Sequence, residues 1–207
     1  MWYIVEAEPD ASIIYGLADG ITREDFAKAV EEKRIGATMK VCSVKRGDAF
    51  FIPAGRVHAI CGGALIAEVQ QSSDITYRIF DYNRMGMDGK PRELHTELAV
   101  DAIDYNVHPE YSISYPQEMN KANMVCECEY FTVRQLQLDT KRERNMQHYD
   151  SFLIYICLDG ECLIGEDIVL KKGQTCLIPA CCTDVVITPS SPNGAELLEV
   201  FVDNEKF

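Results

Sequence analysis

The chain has 207 residues, of which 47% are hydrophobic and 26% are charged, a balance typical of a soluble globular protein. Its 20 lysines and arginines stand against 33 aspartates and glutamates, which gives a formal net charge of −13. A chain this negative is repelled by phosphate backbones and anionic lipid surfaces, so we expect neither nucleic-acid nor membrane binding. No apolar run approaches the roughly 20 residues that a membrane-spanning helix needs.

Cysteine usage points to a reducing compartment. The nine cysteines are scattered, no two have the C-x-x-C spacing of a zinc ribbon, and no secretory signal precedes them. We therefore expect reduced thiols, mostly buried in strands, in a cytoplasmic protein.

The first third of the chain predicts short strands and one helix. β-rich runs at residues 2–6 and 11–15 are separated by a turn signal. A helix is expected over residues 22–33, because Thr22 and Asp25 have the spacing of a capping box.

The middle of the chain changes from strands to a loop and a second helix. Strands are predicted in short pieces from Met39 to about Ile79, followed by a polar loop over residues 82–90. Pro91 suits the first position of a helix that we expect to end near residue 103. From Val125 onward the chain again alternates strands and turns.

An internal repeat indicates the architecture. Residues 44–54 (VKRGDAFFIPA) return as residues 170–180 (LKKGQTCLIPA), each reading as a basic turn, an apolar strand, then proline and alanine. Two copies of one supersecondary unit, on either side of a boundary near residue 105, predict a mainly β protein of two tandem jelly-roll barrels. The first barrel would span residues 1–104 with both helices, and the second residues 105–207.

The first copy of the repeat continues into a candidate metal ligand. Gly47, Pro53, Gly55 and His58 form a G-x5-P-x-G-x-x-H pattern that resembles the second motif of the cupin superfamily, whose histidine binds a metal inside the barrel. A neutral imidazole at the start of the next strand can hold a divalent metal. The alternative is a structural histidine near a β-turn. Gly62 stands where the family motif often has asparagine.

The second copy lacks this histidine. Asp184 takes the corresponding position, and the turn holds Cys181 and Cys182. Neighbouring residues on a strand point to opposite faces, so two adjacent cysteines rarely reach one ion. We expect no metal site in the second barrel.

Longer motifs narrow the family. The run over residues 63–84 (GALIAEVQQSSDITYRIFDYNR), the segment 89–95 (GKPRELH) and the opening Trp2-Tyr3-Ile4 resemble the bacterial branch of type I mannose-6-phosphate isomerase. The resemblance covers the whole chain and implies a zinc-assisted interconversion of mannose 6-phosphate and fructose 6-phosphate. It implies that His58 is one of the zinc ligands and that Arg78 is the active-site arginine.

The chemistry explains a role for Arg78. Moving a proton between C1 and C2 of the sugar passes through an enediolate, whose negative charge requires a fixed cation. Strand alternation would place Thr76, Arg78 and Phe80 on one face, opposite Asp81. The alternative is a surface arginine paired with Glu68 or Asp81.

Other basic and imidazole side chains have weaker signals. Three basic residues lie in or near the loop over residues 82–90, namely Arg84, Lys90 and Arg92. They either steer the substrate phosphate or are simply solvated. The spacing of the remaining histidines suggests structural roles for His95, His108 and His148.

The resemblance also predicts an incomplete site. In the family, a glutamine, a second histidine and a glutamate complete the zinc site, and all three lie upstream of the residue that matches Trp2. We therefore expect this chain to supply only one of the four zinc ligands. Three explanations are open: the sequence starts late, the protein is a remnant that has lost catalysis, or a partner chain completes the barrel. Exposed strand edges would then favour a homo-oligomer.

Two other functions stay open at this point. A non-catalytic cupin pair would bind a sugar phosphate or a protein partner through its second barrel, and the missing ligands favour this alternative. A cupin metalloenzyme of different chemistry, such as an iron oxygenase, is opposed by the Thr76-Tyr77-Arg78 and Pro91-Arg92-Glu93 motifs.

Overall fold

The computed structural model describes residues 1–73, 75–81, 84–106, 112–147 and 151–202. The chain is mainly β with two short α-helices, as the sequence predicts. It divides into two compact units, Met1–Ser112 and Ile113–Phe207, whereas the sequence places the boundary near residue 105. None of the described helices combines the length and the apolar character needed to cross a membrane.

The first unit contains two antiparallel sheets of three strands each, in the orders β4-β1-β6 and β3-β2-β5. Buried side chains from strands of both sheets, among them Trp2, Ile4, Ile13, Tyr15 and Phe50, form one hydrophobic cluster. The strands are β1 (Trp2–Ala7), β2 (Ser12–Leu17), β3 (Met39–Ser43), β4 (Ala49–Phe50), β5 (His58–Ile60) and β6 (Ala64–Glu68).

Both predicted helices are present, with different bounds. Helix α1 spans Arg23–Glu31 and begins with the expected capping box between Thr22 and Asp25. A 3-10 helix follows over Ile35–Thr38. Helix α2 spans Thr96–Ala102 and so begins five residues after Pro91, which instead forms an isolated β-bridge with Met85.

The prediction of strands as far as Ile79 is wrong. Among the described residues, strand β6 ends at Glu68 and the next regular element is helix α2. Contacts with residue 95 rather than strand pairing hold this segment: the Arg78 backbone N–H donates to Nδ1 of the His95 side chain, and the His95 backbone N–H donates to the Arg78 carbonyl. Each of those contacts uses backbone groups that a strand would have given to a neighbouring strand.

The second unit is one antiparallel sheet of eight strands. Its main path runs β7-β8-β14-β10-β13-β9, and β11 and β12 also pair with the long strand β10. One core cluster draws buried side chains from six of these strands, and Ala122 of β7 packs against it, as expected for a sheet curled around its own interior. The strands are β7 (Ala122–Glu127), β8 (Thr132–Leu138), β9 (Arg142–Asn145), β10 (Leu153–Ile164), β11 (Ile168–Lys171), β12 (Thr175–Ile178), β13 (Asp184–Pro189) and β14 (Ala195–Phe201).

The repeat in the sequence has a structural counterpart. Gly47 and Gly173 both have positive φ, 87° and 80°, and each turns the chain into a short strand, β4 or β12. After the proline of each copy, the next strand begins at His58 in the first unit and at Asp184 in the second. The two copies therefore adopt the same order of elements.

The expectation that the cysteines are mostly buried is wrong. All nine are free thiols, but only Cys126, Cys157 and Cys162 are buried. These three lie inside strands, where burial raises the pKa of Cys157 to about 11 and that of Cys162 to about 12. Several of the others, such as the exposed Cys181, lie in turns beyond a strand end, where the chain returns to solvent.

Candidate functional site

The turn before β5 positions His58. Gly55 in this turn has φ of 81°, and a Cβ there would lie 2.8 Å from the carbonyl oxygen of Ala102. The Gly55 carbonyl also accepts the N–H of Asp104 at 2.9 Å. The glycine of the motif is therefore needed for both its dihedral angle and its close approach to the end of α2. Beyond the turn, His58 pairs with Tyr15 of β2.

Hydrogen bonding selects one tautomer of His58. Its Nδ1 lies 2.7 Å from the carbonyl oxygen of Arg56. A carbonyl oxygen only accepts, so Nδ1 carries the proton and Nε2 of the neutral ring keeps its lone pair. The side chain is exposed, and the Trp2 ring meets it edge-on at a centroid distance of 5.3 Å. An imidazole oriented by a backbone carbonyl in this way is suited to bind a metal through Nε2.

The buried side chain of Arg56 stabilises the same turn. Its residue is 7% exposed, its guanidinium lies 5.3 Å from the centre of the Tyr15 ring, and Nη2 is 3.5 Å from a carboxylate oxygen of Asp104. A buried guanidinium with a carboxylate and an aromatic partner is costly to displace. The Arg56 carbonyl that orients His58 is therefore held in a fixed place.

Trp2 connects His58 to the carboxylate of Glu68. Its Nε1–H donates to Oε1 of Glu68 at 2.8 Å, while its ring contacts His58. The sequence allows Glu68 as a partner for Arg78, whereas the structure pairs Glu68 with Trp2. The Trp2-Tyr3-Ile4 motif at the start of the sequence marks Trp2 as a residue of interest, but it does not predict that Trp2 binds Glu68.

Arg78 lies in the irregular segment after β6. Its Nη1 donates to the Glu93 carbonyl at 3.3 Å, and its Nε lies 4.0 Å from Oδ1 of Asp81. The side chain is 24% exposed, so the guanidinium is held by protein groups and still reaches solvent. Strand alternation placed Arg78 and Asp81 on opposite faces, and this prediction is wrong because the chain bends near Ile79 instead of continuing as a strand.

Asp81 gathers three arginines. It is 6% exposed, and besides Arg78 its Oδ1 lies 2.7 Å from Nη2 of Arg84 and 3.3 Å from Nη1 of Arg92. Its Oδ2 is buried without a hydrogen-bond partner in the described structure. We call Arg78, Asp81, Arg84 and Arg92 the Asp81 cluster; it holds three guanidinium groups and one carboxylate. In a chain of net charge −13, it is a local basic patch.

Not all of the predicted site residues are linked by direct interactions in the described structure. Within the described ranges, no hydrogen bond, ion pair or ring contact links His58 to Arg78. No group of three or more His, Cys, Asp and Glu side chains in those ranges could hold a metal ion. His95 precedes α2 and accepts from Arg78, whereas His108 and His148 lie outside the described residues.

Comparison with known proteins identifies the family. The family model "Mannose-6-phosphate isomerase, cupin domain" matches residues 120–190. Mannose-6-phosphate isomerase ManA of Bacillus subtilis is 34% identical over 183 residues, which are 86% of this chain and 57% of that protein. Mannose-6-phosphate isomerase of Streptococcus mutans is 30% identical over 185 residues, which are 86% of this chain and 57% of that protein.

Solved structures agree in fold. The crystal structure of the mannose 6-phosphate isomerase from Bacillus subtilis superposes with a TM-score of 0.83 at 31% identity, covering 97% of this chain and 63% of that one. The enzyme from Salmonella typhimurium gives a TM-score of 0.69 at 13% identity, covering 97% of this chain and 65% of that one, and this likeness shows the fold alone. The chain thus spans less than two thirds of each of these relatives. It belongs to the cupin-type mannose-6-phosphate isomerase family.

Proposed function

We propose that this chain serves in the interconversion of mannose 6-phosphate and fructose 6-phosphate, with Arg78 as a catalytic residue. The observation that carries the proposal is the Asp81 cluster, which holds the Arg78 guanidinium in one place while leaving it partly exposed. Family membership supplies the substrate class, since the curated relatives bear the name of that reaction.

The role of Arg78 follows from where charge develops. Transfer of a proton between C1 and C2 of the open-chain sugar places negative charge on two neighbouring oxygens of an enediolate. A guanidinium stays charged at every working pH and can donate to two oxygens at once. Because Glu93 and Asp81 already fix its position, Arg78 need not reorganise when that charge appears.

Arg84 and Arg92 suit the substrate phosphate. Both contact the carboxylate of Asp81, as does Arg78. The cluster therefore carries three positive charges and one negative charge. Their side chains are 63% and 40% exposed and remain accessible to an anion. In this proposal they attract the phosphate group, which overcomes the repulsion that a strongly acidic chain exerts on an anionic substrate.

Zinc, which the family resemblance implies, fits only in part. The tautomer of His58 suits a metal ligand. A catalytic zinc site needs three protein ligands, and the described residues hold no cluster of that size. The described residues therefore do not form a zinc site by themselves. We propose His58 as the ligand that this chain contributes.

The test is turnover of mannose 6-phosphate by the purified chain, with added zinc and with a chelator. We expect chelation to abolish turnover, and Arg78→Ala to lower kcat/KM by about 100-fold, the effect of losing one preorganised charge-stabilising group. Arg23→Ala is the matched control, because Arg23 is an exposed arginine paired with Asp101 and should leave turnover unchanged. A folded chain without turnover in excess zinc would contradict the proposal for this chain alone.

A further inference from the structure

The second unit contains a charged row on the inner side of its sheet. Arg134 of β8 lies directly opposite Glu199 of β14, and Glu199 lies directly opposite Tyr155 of β10. Directly opposed residues on antiparallel strands share a face. Tyr155 belongs to the hydrophobic core of this unit, so the row faces the interior. Glu199 and Tyr155 have no solvent exposure.

Glu199 is held from several sides. The Tyr155 hydroxyl donates to its Oε2 at 3.0 Å, and its Oε1 lies 3.3 Å from Nη2 of Arg144 and 3.6 Å from Nη1 of Arg134. Both guanidiniums also lie over the Phe201 ring, at 5.7 and 4.7 Å from its centre. The aromatic ring and the carboxylate thus hold two arginines side by side.

A third arginine completes the group. Arg142 precedes Arg144 by two residues on β9 and so lies on the same face, opposite Ile187 of the core. Burial raises the pKa of Tyr155, as does the charge of Glu199, while Arg144 and Arg142 oppose that shift, so both cations act on the phenol. The Nε of Arg142 is buried and has no hydrogen-bond partner in the described structure.

The charges of this group do not balance within it. One guanidinium would neutralise Glu199, but Arg134 and Arg144 both contact it and Arg142 adds a third positive charge on the same face, in a chain whose formal net charge is −13. A buried N–H donor without an acceptor is costly, and an incoming oxygen would relieve that cost. Arg134 and Arg144 keep 23% and 14% of their side chains in solvent, so a small anion can reach the group from outside.

We propose that Arg134, Arg142 and Arg144 of the second unit form a binding site for a phosphate group. Guanidinium forks match the oxygens of a tetrahedral phosphate, and Glu199 with Phe201 holds the forks in place. The phosphate belongs either to a sugar phosphate or to inorganic phosphate. This site consists of residues of the second unit alone, and the proposal does not depend on the function proposed for the first unit.

The test is isothermal titration calorimetry on the full chain carrying Arg84→Gln and Arg92→Gln, with mannose 6-phosphate, inorganic phosphate and mannose as separate ligands. This background removes the two arginines proposed to attract phosphate in the first unit, so that remaining binding reports on the second unit. We expect mannose 6-phosphate to bind and mannose not to bind. Arg142→Gln should weaken binding about tenfold, the loss expected for a hydrogen bond to a charged group.

Lys141→Gln is the matched control, since it removes one positive charge from the neighbouring, exposed position. It should leave the affinity unchanged, which separates a specific site from the general effect of charge. Because Arg142 makes no hydrogen bond through Nε, its replacement should not unfold the unit, and circular dichroism checks this. Arg142→Lys, which keeps the charge and loses the fork, should give an intermediate affinity.

The two sources of phosphate are distinguished by the ligands. Equal binding of inorganic phosphate and mannose 6-phosphate would show that the phosphate group alone is recognised. Binding of mannose 6-phosphate only would show that the sugar is required as well. The proposal is overturned if neither anion binds, or if Arg142→Gln and Lys141→Gln bind equally well.

Discussion

At the level of single residues, Asp81 organises the irregular segment of the first unit. Asp81→Asn should lower the free energy of unfolding by about 2 kcal/mol, because three arginines lose a charged acceptor that is almost fully buried. Urea unfolding measures this. Asp19→Asn is the control: that carboxylate is 72% exposed and pairs with Lys40, so its loss should cost less than about 0.5 kcal/mol. Equal effects would mean that Asp81 has no special structural role.

The sequence could identify single residues but not this convergence. The spacing of Gly47, Pro53 and Gly55 predicts the turn and the strand that begins at His58, because a turn and the strand after it are local features. Asp81 was assigned to the wrong face, since its contacts depend on a bend that no local pattern specifies. The row of Arg134, Glu199 and Tyr155 requires the register of three strands, which a single sequence does not reveal.

At the level of elements, the capping box is the start signal of α1. The backbone N–H of Thr22 and its hydroxyl both bond to the Asp25 carboxylate, and they hold the pKa of Asp25 below its usual value. A carboxyl whose pKa is lowered by folding stabilises the native state above its usual pKa. That stabilisation is lost as the pH falls through the lowered value. NMR titration of the Asp25 carboxyl carbon measures the shift.

Thr22→Ala removes this cap. It should lower the free energy of unfolding by about 1 kcal/mol, the usual effect of losing a threonine N-cap. The pKa of Asp25 should rise only part of the way toward its ordinary value, because the backbone N–H of residue 22 still donates to the carboxylate. Thr22→Ser keeps the hydroxyl and should preserve both properties. If Thr22→Ala left the titration of Asp25 unchanged, the capping box would not form in solution.

The strength of the local signal decided which elements could be predicted. The capping box and the repeated turn glycines determine backbone geometry within a few residues, so α1 and the two copies of the repeat were found. Pro91 carried a helix-start signal, but its bridge to Met85 outweighs that preference and the helix begins later. The segment between residues 69 and 95 could not be predicted in this way, because contacts such as that of Arg78 with His95 link residues 17 positions apart.

At the level of the whole molecule, the two units differ in how their strands are paired. Strand β10 pairs with β11, β12, β13 and β14, so its backbone hydrogen bonds lie inside a large sheet. Strands β3 and β5 are the outer strands of a three-stranded sheet, and their Val41 and Ile60 side chains are 63% and 47% exposed. Outer strands with few buried apolar contacts open at low free energy.

This difference predicts the order of hydrogen exchange in the intact chain. Amides of β10 and β14 should exchange last, and those of β3 and β5 should exchange well before them, because local opening of an outer strand breaks fewer contacts than opening the centre of the larger sheet. Exchange followed by mass spectrometry on peptides from residues 39–43, 58–60 and 153–164 measures this order. Strand β9 is the internal comparison, since it is an outer strand of the larger sheet and should exchange before β10. If β3 and β5 were as protected as β10, another surface would cover these strands in solution. Because β5 begins at His58, that surface would also restrict access to the proposed metal ligand.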